Sequence, residues 1–139
     1  MPAEGGEAAR VTHNGGLEPF ESADGKLIYY AKATGESELW KVPVSGGVET
    51  NVLGPVSILE FAVVANGIYF IEIGTDGAFV GSQRNSLKFF SFTTGLTEKV
   101  ADLKLIPDGG LSISPDGRYA LMATVDPFVC DLKLVENFR

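Results

Sequence analysis

The stretch "LSISPDGRYALMATVD" at residues 111–126 places Ser-Pro-Asp-Gly between two apolar runs. Asp-Gly in this setting is a strong signal for a β-hairpin, because both residues tolerate the backbone angles of a tight turn. Two other stretches have the same layout, "ESADGKLIYYAK" at 21–32 and "VVANGIYFIEI" at 63–73. A binding or catalytic motif is expected once in a domain, whereas this feature recurs. The sequence therefore predicts a repeated hairpin turn, capped in the last copy by Asp116.

A second kind of turn recurs along the chain. "PAEGGEAARVT" from Pro2 matches "PVSGGVETNVL" from Pro43, and "FTTGLTEKVA" from Phe92 is a weaker third copy. The steps from Gly6 to Gly47 and from Gly47 to Gly95 are 41 and 48 residues. A further strand lies directly before this second turn in the first two units, as "ELWKVPV" and "SLKFFSF". The corresponding strand of the last unit is "CDLKLVE". Each unit thus contains four short strands, a to d, with the Asp-Gly turn between a and b.

A four-stranded meander that repeats every 40 to 50 residues or so is typical of β-propeller blades. We predict an all-β fold, a β-propeller fragment of about three four-stranded antiparallel blades in a single domain over residues 1–139. The repeats fall at about 2–42, 43–91 and 92–139.

The phase of the repeat is circularly shifted. The chain opens with a d strand at about 8–12, continues through blades at about 17–53 and 58–102, and ends with strands a, b and c at about 111–136. The first d strand is therefore available to complete the last blade, as in many closed rings. Closed propellers have about four to eight blades. The chain is thus predicted to pack against missing blades of a larger ring, or to self-associate as half-rings.

The motifs "ESADGKLIYYAK…ESELWKVPVSGG" and "SISPDGRYALM…CDLKLVENFR" resemble the Asp-Gly-centred, WD-repeat-like blades of TolB-type propellers over nearly the whole chain. The middle blade departs from the pattern with Ala65-Asn66-Gly67. The ending also resembles large bacterial proteins that carry a propeller after a winged-helix or protein kinase domain. The resemblance implies a non-catalytic scaffold that binds a protein or ligand. A propeller that gates a separate hydrolase or peptidase domain, and a purely structural module, remain alternatives.

Composition excludes several classes of partner. The net charge is −7, the pI is about 4.6, and no run of basic residues exists. Nucleic-acid binding needs clustered Lys and Arg, so no direct nucleic-acid binding is predicted. The longest apolar stretch, "FAVVANGIYFIEIG", is too short to span a bilayer, and the first ten residues contain no apolar core of a signal peptide. We predict a soluble segment, cytoplasmic or periplasmic depending on an N-terminal part.

Catalytic and metal-binding patterns are missing from the sequence. His13 is the only histidine and Cys130 the only cysteine, so neither a zinc cluster nor an evident nucleophile–base pair can be identified. There is no G-x-S-x-G motif of a hydrolase nucleophile. We predict no enzyme activity, no cofactor and no metal.

One loop breaks the repeat. The number of residues from the glycine of the a-to-b turn to the leucine of strand c differs between the units. It is 14 in the first unit (Gly25 to Leu39), 15 in the last (Gly117 to Leu132) and 20 in the middle unit (Gly67 to Leu87). The extra residues lie in "GTDGAFVGSQRN" at 74–85, on the propeller face that also carries the d-to-a connections. Loops on a rigid scaffold often carry function, and an exposed Phe near an Arg is typical of contact sites. The candidate contact residues for a protein partner or small ligand are Asp76, Phe79, Gln83, Arg84 and His13, with Asp108 on the same face. A tolerated surface insertion is the alternative.

Overall fold

The computed structural model describes residues 5–34, 36–72, 85–104, 106–125 and 130–136. These residues form twelve strands and no helix, and hence no helix that could cross a membrane. The strands are β1 (Leu17–Glu21), β2 (Leu27–Ala31), β3 (Glu36–Pro43), β4 (Thr50–Ser57), β5 (Phe61–Val64), β6 (Gly67–Glu72), β7 (Asn85–Ser91), β8 (Thr97–Leu103), β9 (Ile106–Pro107), β10 (Ser112–Ile113), β11 (Tyr119–Val125) and β12 (Cys130–Glu136).

The strands form three antiparallel sheets in chain order. The first sheet has the order β1-β2-β3-β4, the second β5-β6-β7-β8, and the third β10-β11-β12 with β9 also paired to β11. Because β9 and β10 pair with the two ends of β11, they are two halves of one interrupted strand a. This architecture confirms the predicted all-β fold with three successive antiparallel blades.

The strand predicted at about 8–12 is not formed. Residues 5–16 contain no strand; the Arg10 side chain donates hydrogen bonds to the carbonyl oxygens of Thr12 and His13, both at 2.8 Å. The His13 N–H donates to Glu49 Oε1 at 2.8 Å, which holds the segment against the first sheet. A closing strand would instead need its backbone groups at the edge of β12. In the described part of the chain, that edge has no partner strand.

The three sheets are stacked as layers with two apolar cores between them. Alternate residues of a strand face opposite sides, so β6 contributes Ile68 and Phe70 to one core, and Tyr69 and Ile71 to the other. The first core joins the first and second sheets and includes Phe61, which is fully buried and 4.9 Å from the Phe20 ring. The second core joins the second and third sheets. The second sheet is therefore the middle layer.

The a-to-b turns of the first and third sheets are nearly identical. Gly25 and Gly117 have φ angles of 70° and 66°, and Asp24 and Asp116 each accept a hydrogen bond at 3.1 Å from the backbone N–H two residues later. Ser22 and Ser114 hydroxyls bond the same carboxylates. These hydrogen bonds lower the pKa of both Asp side chains. The predicted capped turn at Ser114–Gly117 is confirmed.

The middle blade corrects one detail of the repeat. Gly67, matched by sequence to these turn glycines, lies inside β6, where it pairs with Val64 and Ser91. The turn itself is the two-residue Ala65-Asn66, and the φ of Gly67 is not positive. When the three sheets are aligned by strand pairing, the middle sheet is therefore shifted by two residues relative to the alignment of the glycines. By pairing, Leu39, Leu87 and Leu132 are equivalent, as they lie opposite Ala31, Ile71 and Ala123.

Candidate functional site

Connections from all three sheets meet at one place, which we call the connection cluster: Glu18, Leu59, Glu60 and Asp108. Glu18 lies in β1, Leu59 and Glu60 join β4 to β5, and Asp108 lies between β9 and β10. The Leu59 N–H donates to Glu18 Oε2, and the Gly110 N–H donates to the Leu59 carbonyl oxygen at 2.6 Å. The cluster thus ties the three blades together through backbone groups.

The backbone of this cluster is strained. Glu18 and Leu59 have φ angles of 53° and 67°, and among the described residues they are the ones other than glycine with positive φ. Side-chain-bearing residues pay about 1–2 kcal/mol for this conformation. Strain of this kind is concentrated at functional sites, where the surrounding structure enforces it. The two strained residues here are hydrogen-bonded to each other, and Leu59 remains half exposed.

Glu60 is the buried acid of the cluster. Its side chain is 5% exposed, and Oε2 has no hydrogen-bond partner among the described residues. Burial raises the pKa of Glu60, hydrogen bonds from Ser57 and the Gly109 backbone oppose the rise, and the charges of Asp108 and Glu18 add to it. Burial also raises the pKa of Glu18, against the Leu59 hydrogen bond. The cluster therefore favours the protonated form of Glu60 more than water does, and it can pair with a cationic group. Among the described residues, no three potential ligands converge as a metal site.

The candidates Asp76, Phe79, Gln83 and Arg84 lie outside the described residues. Their segment connects Glu72 to Asn85, at the end of the second sheet where the Ile71 N–H donates to the Glu60 carbonyl oxygen at 2.9 Å. The strand that precedes the segment, β6, therefore ends beside the connection cluster, which also includes Asp108. Whether these side chains bind a partner stays a prediction.

His13 lies elsewhere, on the outer face of the first sheet. Tyr30 and Trp40 are cross-strand neighbours on this face. The adjacent residues Tyr29 and Leu39 lie on the opposite face of the sheet and pack against the second sheet. Glu49 accepts hydrogen bonds from the His13 backbone and from the Tyr30 hydroxyl, each 2.8 Å long, and forms an ion pair with Lys32. These contacts, the His13 bond first, lower the pKa of Glu49 to about 2. The described contacts of His13 are made by its backbone.

Sequence reasoning missed Glu18, Leu59 and Glu60. The available signal was weak: Glu60 is the one charged residue in the apolar stretch "VSILEFAVV" at 56–64. A charge inside such a stretch indicates a buried polar group, but its partners come from β1 and from the β9–β10 connection, which are distant in sequence.

Solved structures share this arrangement of sheets. TolB from Acinetobacter baumannii aligns with 81% of this chain at a TM-score of 0.57 and 20% identity. The tricorn protease aligns with 85% of the chain at a TM-score of 0.55 and 11% identity. The chain has the fold of a partial β-propeller. It spans 28% of the TolB chain and 12% of the tricorn protease chain. No protein-family profile matches the sequence, and no curated protein matches it.

Replacing Glu60 with glutamine is expected to stabilise the propeller fragment at neutral pH. The folded protein holds the Glu60 proton more tightly than the unfolded chain, so ionisation of Glu60 opposes folding. This penalty is absent below the ordinary pKa of 4.5 and grows as pH rises through the higher pKa of the folded state. Thermal unfolding of Glu60→Gln and wild type across the pH range would show a gain at pH 7 that disappears in acid. The exposed Glu98→Gln is the control, and a gain independent of pH would contradict the assignment.

Proposed function

We propose that this chain is a non-catalytic β-propeller scaffold that binds a protein partner, as the interaction or sensing part of a larger bacterial protein. The observation that carries the proposal is the buried Glu60 carboxylate, with one oxygen lacking a hydrogen bond, beside the half-exposed Leu59. A strained connection that places a half-exposed apolar side chain directly beside a buried acid is suited to recognition that opens the connection. The likeness to TolB supports the scaffold fold and does not identify the partner.

The chemistry of the connection cluster favours a basic, partly apolar peptide segment. Once the connection opens, a lysine or arginine side chain of the peptide would supply the hydrogen bond that the buried Glu60 Oε2 lacks and would favour the ionised form of Glu60. Glu18 and Asp108 add negative charge around it, and Leu59 provides an apolar contact. Phe79 and Arg84, in the inserted segment that follows β6 in the sequence, are proposed as further contact residues.

Selection from a displayed library of short random peptides tests the proposal. The wild-type chain is expected to enrich peptides that combine Lys or Arg with apolar residues, and Glu18→Gln/Glu60→Gln should reduce their binding by about tenfold or more, the effect of losing a charge-assisted hydrogen bond. Glu7→Gln/Glu98→Gln removes the same charge from exposed positions and serves as the control. Phe79→Ala/Arg84→Ala tests the insertion separately. Equal enrichment by wild type and the Glu18/Glu60 variant would contradict binding at this cluster.

A second candidate function is a propeller that gates a separate hydrolase or peptidase domain. The fold likeness to the tricorn protease is the observation that favours it. The two proposals differ in the domain that accompanies the propeller in the complete gene. A winged-helix or kinase domain supports sensing, and a hydrolase domain supports gating.

A further inference from the structure

The outer face of the third sheet is apolar and uncovered; we call it the open face, and it comprises Leu121, Leu132 and Leu134. These side chains are 41%, 73% and 56% exposed. The equivalent leucines of the other sheets, Leu39 and Leu87, are 0% exposed because each packs against the next sheet. The open face is therefore equivalent to the surfaces that form both inter-sheet cores, and no described strand forms a following sheet against it.

The open face also has a concave shape. A shallow cavity of about 340 Å³ is lined by Ser112, Ser114, Tyr119, Leu121 and Leu134. A surface of this kind is unfavourable in water, since each buried CH₂ group would contribute about 0.8 kcal/mol. It is suited to side chains that project from another sheet.

The complementary face at the other end of the stack is covered by the chain itself. Tyr30 is equivalent to Phe70 and Met122, each of which packs against the preceding sheet. No sheet precedes the first one in the described chain, yet Tyr30 and Val42 are 1% and 0% exposed. Residues 5–16, which we call the cap, lie there: a Cβ at Gly16 would be 2.9 Å from the Tyr30 ring. The cap thus occupies the position of a preceding blade.

The described contacts of the cap are largely polar. The cap has no strand, and Arg10 bonds only carbonyl oxygens within it. Its described anchors on the first sheet are the His13–Glu49 hydrogen bond and the close approach of Gly16 to the Tyr30 ring. An apolar sheet face in its place would bury more apolar surface, which is the larger driving force for association.

We propose that the open face of one chain docks on the outer face of the first sheet of a second copy, and that the cap blocks this contact until it is displaced. This contact between copies would repeat the two inter-sheet interfaces within the chain. In the first of these, the face bearing Leu39 packs against the face bearing Phe70, and in the second, the face bearing Leu87 packs against the face bearing Met122. Such a head-to-tail contact is heterologous, so chains add in series and form a ring or an open stack. The proposal is independent of the connection cluster.

Removal of residues 1–16 tests this assembly. In size-exclusion chromatography with light scattering, the full chain is expected to have the mass of one copy, and the shortened chain a mass that rises with protein concentration. Leu132→Ser/Leu134→Ser in the shortened chain should restore the single-copy mass. Val48→Ser/Leu96→Ser, at residues 82% and 70% exposed outside the open face, should not.

A second variant retains the whole chain. Gly16→Val introduces a side chain into the Tyr30 ring and should loosen the cap, giving partial assembly that Leu132→Ser/Leu134→Ser abolishes; it decides the question if the shortened chain does not fold. A folded, uncapped chain with the mass of one copy would overturn the proposal. Assembly that persists in the Leu132/Leu134 variant, or a full chain that already assembles, would overturn it equally.

Discussion

Gly67→Ala is expected to lower the free energy of unfolding by about 3 kcal/mol or more, the upper end of the range for overpacked positions. A Cβ at Gly67 would lie 2.2 Å from the Phe90 carbonyl oxygen and 2.4 Å from the Phe89 ring. Both atoms belong to β7, and the Phe90 carbonyl oxygen is part of the backbone that pairs with β6, so it cannot move away without disrupting the sheet. The Phe89 ring would have to rotate as well. Urea denaturation followed by circular dichroism measures the loss.

Substitutions at two other glycines distinguish the effect of steric crowding from the effect of the backbone φ angle. Gly46 has a φ of 80° and no atom within 4 Å of a Cβ built there. Gly46→Ala should therefore lower the free energy of unfolding by about 1 kcal/mol, through the backbone conformation alone. Asparagine tolerates a positive φ, so Gly25→Asn should cost less than about 1 kcal/mol, whereas Gly67→Asn should be as damaging as Gly67→Ala. Tolerance of asparagine at residue 67 would mean that Gly67 is a turn glycine after all.

The repeat made most of the fold predictable. The Asp-Gly turns at Asp24 and Asp116 are local, since their hydrogen bonds join residues within the turn, and a sequence can encode them completely. The Gly67 match was wrong because a glycine after Asn or Asp can either lie within a turn, as Gly25 and Gly117 do, or begin the next strand after a two-residue turn, as Gly67 does. The difference between them depends on which residues pair across the hairpin.

The missing strand at 8–12 has a different cause. The match between "PAEGGEAARVT" and "PVSGGVETNVL" predicts a strand only if a neighbouring edge is available to pair with it. In the folded chain, the Glu49 carboxylate and the Tyr30 ring hold this segment on the outer face of the first sheet, whereas β12 belongs to the third sheet. Sequence similarity between repeats does not specify this competition between two surfaces.

The candidate site was the least predictable part. The insertion at 74–85 is visible in the sequence as a change of length, and its role in binding stays a prediction. The positive φ of Leu59, the burial of Glu60 and its neighbours Glu18 and Asp108 are consequences of packing between sheets. By contrast, the packing of Tyr29, Tyr69 and Phe70 between blades follows directly from the repeat, because a single blade cannot bury its own faces.

The three equivalent leucines should differ sharply when each is replaced with alanine. Leu39→Ala and Leu87→Ala remove fully buried side chains from the two inter-sheet cores and are expected to cost about 3 kcal/mol each, within the range for cavity-forming substitutions. Leu132→Ala removes a side chain that is 73% exposed, so it should change the free energy of unfolding by less than about 0.5 kcal/mol. Urea denaturation of the monomeric chain at low concentration measures all three, with the exposed Leu96→Ala as control.

The same series reports on the open face. A following sheet would bury Leu132 as the third sheet buries Leu87, because the two leucines have the same place in their strand pairs. In the chain that lacks residues 1–16, Leu132→Ala should therefore become as damaging as Leu87→Ala at concentrations where chains assemble, and harmless on dilution. A large loss for Leu132→Ala in the dilute full chain would mean that the open face is covered within a single copy. That result would contradict both the exposure of Leu132 and the head-to-tail contact that depends on it.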